Sequence, residues 1–75
     1  MTPFAQELLR HRKQKETLES FAERIDCNPS YIFRLKSGSR RPSMTFIERT
    51  AMNLGISESA KKTLIRSAYL TEKSS

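Results

Sequence analysis

The stretch TLESFAERIDCNPSYIFRLKSGSRRPS, Thr17–Ser43, decides the architecture of the chain. Thr17 reads as an N-cap, and Leu18, Phe21, Ala22 and Ile25 follow at the i, i+3, i+4, i+7 spacing of one buried helical stripe. Glu19 in the first turn suits the positive end of the helix dipole. Asp26 and Cys27 make a short turn. Asn28 then Pro29 is the strongest start signal in the sequence. Asn is a good N-cap, and proline at the next position has a preset φ and no N–H to leave unpaired. That second helix is expected to run to Lys36 or Ser37 and to stop at Gly38, which takes the left-handed conformation at little cost. Two short helices joined by so tight a turn have the layout of a helix-turn-helix.

The second helix has two unlike faces. At about 100° per residue, Ile32 and Leu35 share one side and define the buried face. Ser30, Phe33 and Arg34 fall on the opposite side, with Tyr31 and Lys36 on the boundaries. The apolar run Tyr31-Ile32-Phe33 is thus split between core and surface. An exposed Phe beside an Arg has a use in the DNA major groove. There Arg donates two hydrogen bonds to guanine, Ser bonds to base edges either way, and Phe packs on a thymine methyl. Lys36 and Tyr31 are placed to reach phosphates, which orient a protein on the duplex without reading sequence. The competing reading makes Phe33 a satellite core residue under a loop and Arg34 a solvated charge.

The rest of the chain also reads as helices. Thr2-Pro3 looks like a cap and first residue for a helix over about 3–14, with Phe4 and Leu8 on one stripe, Leu9 beside it and Arg10 to Lys15 at its C-terminal end. Ser43 caps a fourth helix in which Met44, Ile47, Ala51 and Leu54 recur at helical spacing, ended by Gly55. Ser57 or Ser59 starts a fifth helix to about Leu70, with a frayed tail from about residue 71. In that helix Ala60, Leu64 and Ala68 can pack inward. Ile65, Tyr69 and Leu70 lie further round. They are candidates for a dimer interface, the alternative being a wide stripe on a monomer's core.

The chain has 75 residues, so a single domain spanning 1–75 with a small core is expected, and dimerisation adds buried area. Its net charge of +6 and pI near 10.0 favour an anionic partner. The charge is sorted into blocks: residues 28–43 hold Arg34, Lys36, Arg40 and Arg41 and no acid. No apolar run approaches the roughly 18 residues of a membrane span, and the start lacks a secretory leader, so a cytoplasmic protein is expected. One Cys and one His leave no protein-only metal cage, and Cys27 reads as a small core residue rather than a nucleophile. No paired carboxylates, phosphate-binding glycine loop or Ser/His/Cys constellation suggests an enzyme. No metal, cofactor or small-molecule ligand is expected.

Thr17–Ser43 resembles the helix-turn-helix of the phage-repressor-like (XRE/Cro-type) family. Thr17 stands at the cap of the family's second helix, Phe21-Ala22 at its packed pair, Ile25 and Cys27 in the turn region, and Ile32 and Leu35 in its third helix. Gly38 and RRPS match the loop that follows, and FIERTAMNLGIS, Phe46–Ser57, looks like the fourth helix and its ending. The resemblance covers residues 4 to about 59. It implies an all-α, compact five-helix lambda-repressor-like domain whose third helix lies in the major groove, often acting as a dimer on pseudo-palindromic operators. The family's base-reading positions fall on Pro29, Ser30, Phe33 and Arg34. Phosphate contacts are expected from Tyr31, Lys36, Ser37, Arg40, Arg41 and Thr17, with backbone N–H groups of the SGSRRPS loop. Leu18 stands where the family often has Gln, and it lies on the inward stripe instead. His11 and Lys36 occupy the places of an Arg–Glu pair and form no such bridge, and Ser37 replaces a frequent Asn.

The expected function is a sequence-specific double-stranded DNA-binding transcriptional regulator, a homodimeric repressor in the first instance. Small size fits a phage or mobile-element regulator, and the resemblance to the family implies one that controls its own operon. Two alternatives stand beside it: a DNA-binding antitoxin of a toxin–antitoxin pair, and a basic helical module that meets an acidic protein.

Overall fold

The computed structural model describes residues 1–74, with side chains to Thr71. Five helices follow in order: α1 Pro3–Leu9, α2 Leu18–Arg24, α3 Pro29–Ser37, α4 Met44–Leu54 and α5 Glu58–Ser74. No strand occurs among the described residues, and no helix there is long and apolar enough to cross a membrane. Helix α1 packs against α5 and α3, α4 against α5, and α2 against α3. Phe4, Leu8, Phe21, Ala22, Ile25, Ile32, Leu35, Phe46, Ile47 and Leu64 meet in one core. Leu18, Cys27, Ile65 and Ala68 are partly buried against it.

The caps act where the sequence places them. Thr17 accepts from the Ser20 N–H, Ser43 from the Phe46 N–H and Asn28 from the Ser30 N–H. Gly38 (φ 86) and Gly55 (φ 64) end α3 and α4 in the left-handed region.

Helix α1 stops at Leu9, well short of the expected residue 14. The N–H groups of Arg10, His11 and Arg12 bond three residues back, to Glu7, Leu8 and Leu9, so the end tightens and breaks. From Arg10 to Glu16 no apolar residue is available to bury a helix face, and Lys15 turns the chain at φ 69.

Two stripes differ from expectation. In α4 the buried residues are Phe46, Ile47, Thr50 and Ala51, while Met44 is 51% exposed. Phe46 takes the central place because its ring meets Phe4 and Tyr31 edge-on, at centroid distances of 6.4 and 5.0 Å. In α5 the buried line is Leu64, Ser67 and Thr71, with Ala60 and Ala68 only half-buried. Helix α5 also runs four residues beyond the expected Leu70, through Thr71 to Ser74. Thr71 explains the extension at its own position. Its hydroxyl donates to the Ser67 carbonyl at 2.8 Å and accepts the Phe4 N–H at 2.9 Å. That N–H is a first-turn amide of α1 with no partner inside its own helix. Of the tail expected to fray, only Ser75 lies outside the described residues.

Candidate nucleic-acid interface

The turn before α3 is built from backbone. Asp26 takes φ 59, the Cys27 N–H returns to the Ala22 carbonyl at 2.9 Å, and the Asp26 N–H to Glu23 at 3.1 Å. This double closure ends α2 and reverses the chain without a glycine. Cys27 packs beneath the turn, and burial pushes its thiol above the ordinary range, so it stays protonated.

Helix α3 then presents two faces. Ile32 and Leu35 are fully covered, and burial of two such side chains contributes about 1.5–3 kcal/mol each. On the opposite side Ser30 and Arg34 are exposed, and Phe33 is 54% exposed. The reading of Phe33 as a satellite core residue is therefore excluded in this structure. The Lys36 ammonium sits 5.4 Å above the Phe33 ring, a cation–π contact that gives the exposed ring a preferred place. The Arg34 guanidinium has no hydrogen bond or ion pair among the described residues. Pro29 is half-buried at the start of the helix. Tyr31 is half-buried against Phe46, and desolvation raises its hydroxyl pKa despite the nearby Arg40, which keeps it a hydrogen-bond donor at neutral pH.

The loop after α3 differs from expectation in one respect. The N–H groups of Gly38 and Arg40 both reach the Arg34 carbonyl, at 3.0 and 3.3 Å, and the Ser39 N–H reaches the Ser37 hydroxyl at 3.3 Å. Ser37 itself donates to the Arg34 carbonyl at 3.1 Å. These three amides and the Ser37 hydroxyl, expected to face phosphates, are instead satisfied within the loop. The Gly38 and Arg40 amides and the Ser37 hydroxyl together cap the Arg34 carbonyl in the last turn of α3. Arg40 and Arg41 remain as exposed side chains beyond it. Thr17 is exposed, with its hydroxyl oxygen engaged as the α2 cap.

The charge around α3 is polarised. Glu19, Glu23 and Asp26 line a shallow depression with Cys27, Asn28 and Pro29 at its N-terminal end. Lys36, Arg40 and Arg41 follow at the other end. Asp26 has Arg49 at 3.8 Å, both of them exposed.

Thr2 holds the far end of α3, a role that no local pattern announces. Its N–H donates to the Lys36 carbonyl at 3.2 Å, and its hydroxyl donates to the Leu35 carbonyl at 2.7 Å. The same hydroxyl oxygen accepts the Ala5 N–H as the cap of α1. Its methyl lies 3.4 Å from where a Gly38 Cβ would stand. His11 contributes its carbonyl, which accepts from the Arg24 guanidinium at 2.9 Å. Arg24 also pairs with Glu16 at 2.9 Å, holding the α1–α2 connection and drawing the Glu16 pKa down.

The three expected interface residues of α5 are placed unevenly. Ile65 is half-buried against the core, while Tyr69 and Leu70 are 58% and 51% exposed. Ile65 and Tyr69 line a shallow groove with Pro42, Met44, Ile47 and Arg41, continuous with the basic loop.

No protein-family model, curated protein or solved structure matches the chain.

Proposed function

We propose that this chain is a sequence-specific double-stranded DNA-binding transcriptional regulator with a lambda-repressor-like helix-turn-helix formed by α2 and α3. The observation that carries this reading is the outer face of α3. Phe33 and Arg34 stand exposed on a helix whose opposite face is locked into the core and whose two ends are capped. A rigid helix bearing an exposed guanidinium, an apolar ring and a hydroxyl is suited to base edges in a major groove. Lys36, Arg40 and Arg41 supply positive charge at one end for phosphates, within a net charge of +6.

A homodimer through Tyr69, Leu70 and the groove beside Ile65 presents two copies of α3 to half-sites about 10 base pairs apart, or a multiple of that. Occupancy of such a site beside a promoter represses transcription.

The test separates base reading from phosphate binding. Arg34→Ala is expected to cost about 1–3 kcal/mol and to relax preference at one position per half-site. Arg41→Ala is expected to weaken all duplexes alike and to reduce the salt slope by about one unit. An Arg34→Ala variant with full affinity and full sequence preference sinks the assignment. Binding that depends on salt but distinguishes no duplex from another points instead to a basic module for acidic partners.

A further inference from the structure

The polarity of Ser30 is set before any ligand arrives. Its backbone N–H donates to Asn28 Oδ1 at 2.9 Å, and its own Oγ lies 2.8 Å from the same atom. A backbone N–H only donates, so the atom it faces is the amide oxygen, and an amide oxygen only accepts. The Ser30 hydroxyl proton therefore goes to Asn28. The exposed side of Ser30 Oγ carries lone pairs alone. An unconstrained serine bonds to base edges as donor or acceptor, but this one is preset as an acceptor.

In the major groove the groups that donate are the exocyclic amino groups, adenine N6 and cytosine N4. Thymine O4 and guanine O6 and N7 only accept. We infer that Ser30 is a specificity-determining residue that selects an adenine or cytosine amino group, and that Asn28 is the positioning residue that gives it this polarity. The inference rests on the reading of α3 as a DNA-reading helix. To meet thymine or guanine, Ser30 has to abandon its bond to Asn28. Loss of one such bond corresponds to roughly a 2- to 12-fold preference.

The test is selection of bound duplexes from a random pool by the wild-type protein and by Ser30→Ala, Asn28→Gly and Asn28→Asp. The position read by Ser30 is the one whose preference collapses in Ser30→Ala. Wild type is expected to take adenine or cytosine there, over thymine and guanine, by roughly 2- to 12-fold. Asn28→Asp keeps the accepting oxygen and the cap, and keeps the preference. Asn28→Gly leaves a tolerated cap but frees the hydroxyl, and admits thymine and guanine at that position alone. Should Asn28→Gly fail to fold, a duplex carrying a base without its amino group gives the same answer. It weakens wild type by that factor more than it weakens Ser30→Ala. A wild-type preference for thymine or guanine, an unchanged preference in Asn28→Gly, or a motif unaltered in Ser30→Ala overturns the inference while DNA reading stands. A wild-type protein that enriches no motif overturns both.

Discussion

Thr2→Val removes one hydroxyl and keeps the branched shape that packs beside Gly38. In the wild type that hydroxyl donates to the Leu35 carbonyl at 2.7 Å and accepts the Ala5 N–H at 3.3 Å. Loss of an N-cap costs typically about 1 kcal/mol. Loss of a further hydrogen bond, at a partly buried carbonyl, costs about 0.5–1.5 kcal/mol. The sum is about 2 kcal/mol, and for a domain of this size each kcal/mol lowers Tm by roughly 4–8 °C. Thermal unfolding followed by circular dichroism is therefore expected to show a fall of roughly 8–16 °C. Thr2→Ser retains the hydroxyl and is expected to stay within about 0.5 kcal/mol of wild type. Because the clamp closes on the last turn of α3, hydrogen exchange of the Gly38 and Arg40 amides is expected to quicken in Thr2→Val. A Thr2→Val protein that melts with the wild type, and protects those amides equally, refutes the clamp as a stabilising element.

Three further outcomes are expected. Thr50 is fully buried, and its hydroxyl has no hydrogen-bond partner among the described residues. Thr50→Val is expected to raise stability by about 1 kcal/mol in urea unfolding, and a loss of stability contradicts this account of the site. Glu16 is held below the ordinary carboxylate pKa of 4.5 by hydrogen bonds from Arg24 and Lys13. Its contribution is complete above pH 4.5 and is lost as pH falls through the lowered value. Unfolding curves of Glu16→Gln are therefore expected to decline less steeply than wild type below that pH, and parallel declines exclude the effect. Tyr69→Asp places a charge on the exposed rim of the α5 groove. Sedimentation velocity is expected to show a dimeric wild type and a monomeric variant, and a dimer that persists in Tyr69→Asp moves the interface elsewhere.

Much of the fold was legible because its helix ends are local events. Asn28-Pro29, Ser43, Gly38 and Gly55 act through neighbours one to four residues away, and the structure puts the caps at those positions. The split of Tyr31, Ile32 and Phe33 was legible too, since Ile32 and Leu35 share a face that excludes Phe33. The missed features depend on distant contacts. Phe46 displaced Met44 from the α4 stripe because Phe4 and Tyr31, from two other helices, give its ring a place. Thr71 prolongs α5 by answering an amide 67 residues away. Thr2 was readable as a cap, but its second bond, to a carbonyl 33 residues on, was not. In the basic loop, the family resemblance implied amides free to meet phosphates. Only the geometry shows those of Gly38 and Arg40 turned onto the Arg34 carbonyl and that of Ser39 onto the Ser37 hydroxyl, with the Arg40 and Arg41 side chains exposed beyond them.

The central claim is that the outer face of α3 reads base sequence in duplex DNA. Selection from a random duplex pool by the wild-type protein at physiological salt tests it most directly. One enriched motif is expected, made of two inverted half-sites whose centres lie about 10 base pairs apart or a multiple of that. A bound pool with no enriched motif would contradict it.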